Sequence, residues 1–417
     1  MPDRVSPARC GAFQALLRVE AEDAFASDTI HTDSLFAAMS ERDRALAQEI
    51  TLGCLRWQGA IDAMLADVAR RPVGGLDREV RIALRMGCYQ MRYLDRIPDR
   101  AAVSESVELV KTSGKRSAAG FVNAVLRTLP QRAEEKVELE RAHPQWLLDR
   151  WTECFDRETV AGILRANQTP PRTYLRLNTQ YPLEETLEQL GEEGVETEAT
   201  ELAHARLLVR GKPMVTSCWR DGRVRIQDLS SQMIVPLLNL SREHRFLDLC
   251  AAPGGKTAQA LEIIGTSSRT VAADRHLHRL RVLGQLAATP VKKVALDATA
   301  PLPFRTKFDR ILVDVPCSGT GTLARNPEIK WRLIPQDLKD LTLKQKSILN
   351  GALDSLEFSG VLVYSSCSLE PEENQGVVQA VLDERTEFRV DAYLERVPGR
   401  DPGDGFFACR FVRRRDS

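Results

Sequence analysis

The sequence predicts three modules in series: an all-α domain over residues 1–135, a small α+β connector over 136–222, and a Rossmann-like α/β core with a mostly parallel sheet over 223–417. Three observations carry this. The first third repeats apolar residues at three- and four-residue spacing, the middle mixes one helical stretch with one alternating stretch, and from Arg245 short apolar runs separated by helical stretches set in. A chain of 417 residues also exceeds one ordinary domain and can bury more than one core.

In the first module, Arg44–Trp57 shows the helical period clearly, and Val80–Leu94, Ala101–Thr112 and Ala118–Leu129 follow it. Arg71-Pro-Val-Gly-Gly75 and Ile97-Pro-Asp99 punctuate these stretches as glycine and proline do between helices. In the connector, Trp146–Cys154 reads as a helix and Thr173–Asn178 alternates like a strand, with breaks at Thr169-Pro-Pro171 and Asp221-Gly222. In the third module the expected strands are Arg245–Leu249, Thr270–Ala273, Lys293–Leu296, Arg310–Val313 and Gly360–Tyr364. They end in Asp248, Asp274, Asp297, Asp314 and Ser365-Ser-Cys367. Ligands of open α/β sheets bind beyond the carboxyl ends of strands, so these endings should converge on one crevice.

Composition narrows the function. With 58 Lys+Arg against 58 Asp+Glu, any surface for nucleic acid has to be a local patch. Nine cysteines stand as singletons, with no CxxC pair and no Cys/His cluster, so neither a zinc site nor a disulfide framework is expected. The first residues lack the apolar core of a signal peptide, and no apolar run reaches the roughly 20 residues that span a bilayer. A soluble, cytoplasmic, monomeric protein is the expectation.

Asp248-Leu-Cys-Ala-Ala-Pro-Gly-Gly-Lys-Thr257 closes one strand and opens a helix. Gly254 and Gly255 permit a tight turn and close backbone approach, and the helix start offers free N–H groups to a carboxylate such as that of S-adenosylmethionine. A P-loop would need glycine where Cys250 stands, which disfavours a nucleoside triphosphate. Asp274 is placed for a ribose diol and Asp297 for an adenine amino group; a helix cap or a solvated strand end is the competing reading for each.

Cys317, in Asp314-Val-Pro-Cys-Ser-Gly-Thr-Gly321, and Cys367, in Ser365-Ser-Cys-Ser-Leu-Glu-Pro-Glu-Glu-Asn374, sit in polar loops at strand ends. Cys10, Cys54, Cys88 and Cys409 read as small core residues instead. A thiolate is suited to attack carbon 6 of a cytosine, turning carbon 5 into a nucleophile, and to leave afterwards. Asp314 is the candidate for gripping the base edge. Pro371, Glu372 and Glu373 mark a helix start whose field favours a nearby thiolate, an effect the two glutamates partly offset.

DLCAAPGGKT, DVPCSGTGTLARNPEIKW and YSSCSLEPEENQ closely resemble three signatures of the RsmB/Sun type of ribosomal RNA cytosine-C5 methyltransferases; Gln227–Gln232 and Asp404–Phe407 extend the likeness. The helical first third resembles the NusB-like RNA-binding domain of that family. The resemblance implies a class I methyltransferase core that methylates 16S rRNA, with Cys367 as nucleophile, Cys317 helping to release the product, and Asp314 catalytic. It also implies an S-adenosyl-L-methionine site at Cys250, Ala251, Ala252, Pro253, Gly254, Gly255, Lys256, Asp274, Asp297 and Asp314. Val315 and Ser366 depart slightly from the family pattern without removing a functional atom. No metal is implied.

For RNA contact the candidates are Arg325, Lys330 and Trp331 beside the Cys317 loop, where packing of Trp331 is an equal alternative, and Lys115 and Arg116 in the first module. Two other functions remain open: a transfer-RNA or DNA cytosine methyltransferase, the latter with Cys317 as nucleophile, and a non-catalytic RNA-binding assembly factor.

Overall fold

A computed structural model of the chain describes residues 5–22, 24–32, 34–130, 134–265, 269–286 and 291–414. The chain folds into two compact units. One holds the residues up to Pro170 together with Leu323–Arg332, and the other holds Pro171–Thr322 and Leu333 onward.

The first unit is helical. The predicted stretches become Glu41–Arg56, Arg78–Tyr93, Asp99–Thr112 and Ala119–Arg127, joined by Pro7–Glu22 and Gln58–Ala69. Ser40 caps one of them by accepting from the Asp43 amide, with Glu41 and Asp43 placed in the first turn, where the helix dipole favours negative charge. The apolar faces meet in one core containing Leu16, Ile50, Ile61, Leu84, Val110 and Leu126. Helices Gln145–Cys154 and Arg157–Gln168 also belong to this unit, whereas 136 was the expected start of the connector. Their apolar residues Trp151 and Ile163 are buried.

The second unit carries two sheets. Strands β1 (Tyr174–Leu177), β2 (Glu196–Ala199), β3 (Ala205–Arg210) and β4 (Val224–Ile226) form an antiparallel sheet in the order β2-β3-β1-β4. Then follow β5 (Phe246–Asp248), β6 (Thr270–Asp274), β7 (Lys292–Ala295), β8 (Phe308–Asp314), β9 (Leu356–Ser366), β10 (Phe388–Arg396) and β11 (Phe406–Arg413), ordered β10-β11-β9-β8-β5-β6-β7. β5 to β9 run parallel and β11 is antiparallel between β9 and β10. The five expected strands are all present. The β10–β11 pair was not anticipated, since β10 intersperses charges among its apolar residues.

After β7 the chain returns to β8 on the other side of β5. The order therefore reverses between β5 and β8, which opens a crevice at their carboxyl ends. Within the same unit, Arg176 of β1 ties the small sheet to the helix Gly255–Ile264: it donates to the Gly255 carbonyl at 2.8 Å and pairs with Glu262 at 2.6 Å.

Candidate active site

The loop after β5 is shaped by glycine. Gly254 has φ +115°, and a Cβ there would lie 2.4 Å from Leu283 Cδ1, so no other residue fits. A Cβ on Gly255 would meet only Gln227, at 4.0 Å, leaving the start of the helix Gly255–Ile264 open to a ligand. Asp274, ending β6, accepts from the Ala252 amide at 3.1 Å and the His276 amide at 2.9 Å. Asp297, following β7, accepts from the Thr299 amide and hydroxyl at 3.0 and 2.6 Å, which hold its carboxyl below the usual range. Asp274 and Asp297 thus stand at neighbouring strand ends, each fixed by a local turn with lone pairs to spare. The glycine loop, the open helix start and the two oriented carboxylates fit an adenosylmethionine; Cys250 through Gly255 would supply backbone to such a site, while Lys256 is paired with Asp314.

Lys256 Nζ lies 2.6 Å from Asp314 Oδ2 and 4.9 Å from the centre of the Phe406 ring. Burial opposes its charge, but Asp314 prevails and holds the ammonium above its usual range. The other Asp314 oxygen accepts from Ser365 Oγ at 2.7 Å, so the carboxylate is gripped from the helix after β5 on one side and from β9 on the other. Beneath it, Asp248 is fully buried. Oδ2 accepts from Thr257 Oγ1 at 2.5 Å and Oδ1 has no partner among the described residues. Burial raises this carboxyl to about 7.

The two candidate sulfurs converge. Strands β8 and β9 are parallel neighbours with Asp314 opposite Ser365, and Cys317 Sγ lies 3.3 Å from Cys367 Sγ. Their loops are stitched together: Gly321 N donates to the Cys367 carbonyl at 2.9 Å, Leu369 N to Thr320 Oγ1 at 2.9 Å, and the Ser318 and Ser368 hydroxyls meet at 3.0 Å. A Cβ on Gly321 would lie 2.4 Å from the Gly405 carbonyl, which is why glycine stands there. The hydrogen bond to Cys367, with burial, pushes the Cys317 thiol well up, so it keeps its proton.

Sequence reasoning missed the hub of this stitching. Glu373 was read as a charge near a helix start, yet it is fully buried, in a π-turn over Glu372–Gly376 that precedes the helix Val377–Glu384. Its carboxylate accepts from the Ser318 amide at 2.9 Å, Gln345 Nε2 at 2.8 Å and Ser368 Oγ at 2.5 Å. The serines flanking both cysteines were the available signal, because they need an acceptor. Gln345 was likewise not singled out, whereas Asp248 and Ser365 stood among the expected strand endings without a role of their own.

The RNA candidates fare differently. In the first unit Lys330 is an interior group, 1% exposed with Nζ on the Arg56 carbonyl at 2.8 Å, and Trp331 is half-buried with Nε1 donating to the Leu55 carbonyl at 2.8 Å. Lys330 is therefore corrected from an RNA contact to a packing residue, because the segment after Thr322 passes into the helical body, and Trp331 takes the packing alternative for its indole N–H while part of its ring stays accessible. Arg325 is half-buried in that segment. Lys115 pairs with Asp77 at 2.9 Å, and Arg116 is exposed. Among the described residues no His/Cys/Asp/Glu group could hold a metal, and no helix is long and apolar enough to cross a membrane.

Residues 235–412 match the family described as 16S rRNA methyltransferase RsmB/F, residues 6–131 the NusB family, and residues 143–216 the ferredoxin-like domain of RsmF/B-like methyltransferases. A Bacillus subtilis (strain 168) protein named "Probable ribosomal RNA small subunit methyltransferase B" is 32% identical, covering 95% of this chain and 97% of its own. A Klebsiella pneumoniae protein named "Ribosomal RNA small subunit methyltransferase B" is 34% identical over 91% of this chain and 92% of its own. The crystal structure of PH0851 superposes with a TM-score of 0.84 at 21% identity, covering 98% and 99% of the two chains, and so shares the fold.

Proposed function

We propose that this chain, which belongs to the RsmB/F family of ribosomal RNA small-subunit methyltransferases, methylates carbon 5 of a cytosine in 16S rRNA, using S-adenosyl-L-methionine and Cys367 as covalent nucleophile. The observation that carries this reading is the pair of sulfurs 3.3 Å apart at adjacent strand ends, beside a carboxylate gripped by Lys256 and Ser365.

The target base has to leave its stack to reach this crevice. Cys367 attacks carbon 6, forming a sulfur–carbon bond and moving the ring electrons toward nitrogen 3, which makes carbon 5 nucleophilic. Nitrogen 3 takes up a proton from solvent as the electrons arrive, and Asp314, its oxygens aimed by Lys256 and Ser365, accepts the hydrogen bond from that N–H. The bound cofactor supplies an electrophilic methyl group. Transfer of the carbon 5 proton to solvent then leaves its electron pair to reform the 5,6 double bond and expel Cys367 as a thiolate. Cys317, protonated and in contact with Cys367, is placed to return a proton to the departing sulfur.

Cys367→Ala should abolish transfer of label from adenosylmethionine, and Cys317→Ala should accumulate a protein–RNA adduct that survives a denaturing gel. Near-normal turnover by Cys367→Ala, with no adduct from Cys317→Ala, would reverse the assignment. Bisulfite sequencing of ribosomal and transfer RNA from cells with and without the gene identifies the substrate class. A well-folded protein that binds no adenosylmethionine in calorimetry would point instead to a non-catalytic assembly factor.

A further inference from the structure

The charge balance of the chain hides a local imbalance. Residues 275–296 contain Arg275, Arg279, Arg281, Lys292, Lys293 and two histidines, and no Asp or Glu. At the average density of 58 acidic residues in 417, a stretch of that length would carry about three. Arg279 and Arg281 lie on the helix Leu277–Leu286, Arg275 in the turn before it, and Lys292 and Lys293 on β7, the edge strand of the large sheet.

The helix buries Leu280 and Leu283 against Ala251 and Ala272, which turns the opposite side outward. There His278, Arg279 and Arg281 are exposed, interleaved with Leu277 at 52% and Val282 at 42% exposure. Arg275 meets Asp297 only at 3.9 Å, with 72% of its side chain exposed. Arg279, Arg281 and Lys293 have no ion-pair partner among the described residues. A face that was merely solvated would mix acids among its bases and would not expose two large apolar side chains among them. Arg279, Arg281 and Lys293, with the apolar groups interleaved on the helix, are the surface chemistry that a polyanion with exposed sugar and base edges complements.

We infer that the helix Leu277–Leu286 and strand β7 form a docking surface for the phosphate backbone of the RNA substrate, outside the crevice that holds the reacting base. The inference rests on the RNA-methyltransferase reading above and adds to it a second point of attachment. Leu283, on the inner side of this helix, touches the backbone position of Gly254 in the cofactor loop, so one layer of side chains separates the bound backbone from that loop.

The test uses the full-length protein and a folded fragment of 16S rRNA. The variant Arg279→Glu/Arg281→Glu should weaken RNA binding at least tenfold at about 0.1 M salt and reduce the slope of log Kd against log salt by roughly 1 to 2. Adenosylmethionine affinity and thermal midpoint should stay at wild-type values. Single-turnover transfer at saturating RNA should be unchanged, with the loss confined to KM. The charge reversal Lys339→Glu/Lys344→Glu, on another exposed helix, controls for net charge.

Equal RNA affinity and equal salt slope in variant and wild type would overturn the inference, as would an equal loss in the control. If the double glutamate variant fails to fold, Arg279→Gln/Arg281→Gln decides between the same outcomes. Wild-type protein that transfers no label to any RNA would instead sink the underlying reading, and that arm is independent of the variants.

Discussion

Glu373 offers the sharpest perturbation of the proposed centre, because it touches neither sulfur and yet joins the loops that carry both. Truncation by Glu373→Ala strips the acceptor from three donors: the Ser318 amide, Gln345 Nε2 and Ser368 Oγ. Ser368 retains the Ser318 hydroxyl at 3.0 Å, and Gln345 Nε2 retains the Pro316 carbonyl at 3.0 Å. The Ser318 amide has no such substitute at hand and sits in the loop that presents Cys317. One buried donor left unpaired costs about 1–3 kcal/mol, and two weakened bonds add about 1 kcal/mol, so the folded state should lose roughly 2–4 kcal/mol. A drift of about 1 Å in the relative position of the sulfurs should reduce single-turnover transfer on the order of a hundredfold. Glu373→Gln keeps one carbonyl oxygen for Ser318 and Gln345 and turns an amide toward Ser368, whose hydroxyl can accept instead; most of the rate should return. Urea unfolding, calorimetry with adenosylmethionine and rapid-quench methyl transfer separate these effects. Wild-type single-turnover rates in Glu373→Ala, with a stability change under about 1 kcal/mol, would refute the reasoning.

Two further outcomes follow from other parts of the molecule. Asp248 has its carboxyl raised by burial to about 7, against 3.8 for an ordinary aspartate, so between those values the folded state binds a proton that the unfolded chain has lost. Its contribution is whole below about pH 4 and fades as pH rises through 7, a swing of about 4 kcal/mol at most. Asp248→Asn should therefore reduce the loss of stability between pH 5 and pH 8 in urea titrations; identical pH profiles would contradict this. Trp331→Ala should lower the stability of the helical unit by about 3 kcal/mol through the cavity and the lost bond to the Leu55 carbonyl, while RNA affinity of the remaining folded protein changes little. A tenfold loss of RNA affinity without destabilisation would restore Trp331 to the RNA surface.

What the sequence made legible, and what it concealed, divides along physical lines. The parallel strands could be read because strands buried on both faces are continuous apolar runs, and their chemical endings could be placed because the topology of an open sheet gathers carboxyl ends at one crevice. Thus Asp314, Cys317 and Cys367 were found from local pattern alone. Their partners were not. Glu373 acts through Ser318, 55 residues away, and Gln345, 28 residues away; no periodicity links such positions, and a glutamate beside another glutamate looks like a solvated helix start. Lys330 misled for the opposite reason. A lysine next to a tryptophan in a polar loop suggests phosphate and stacking, but the ammonium is spent on the Arg56 carbonyl inside a helical body whose sequence lies more than two hundred residues upstream. In both cases the deciding fact is the long-range neighbour that accepts or supplies a hydrogen bond. For this chain the chemistry-bearing atoms are written locally, while the groups that hold them at reacting distance are written in the tertiary fold; substitution at Gln345, which lies outside all three motifs by which the site was recognised, should therefore damage turnover as substitution at Glu373, inside one of them, does.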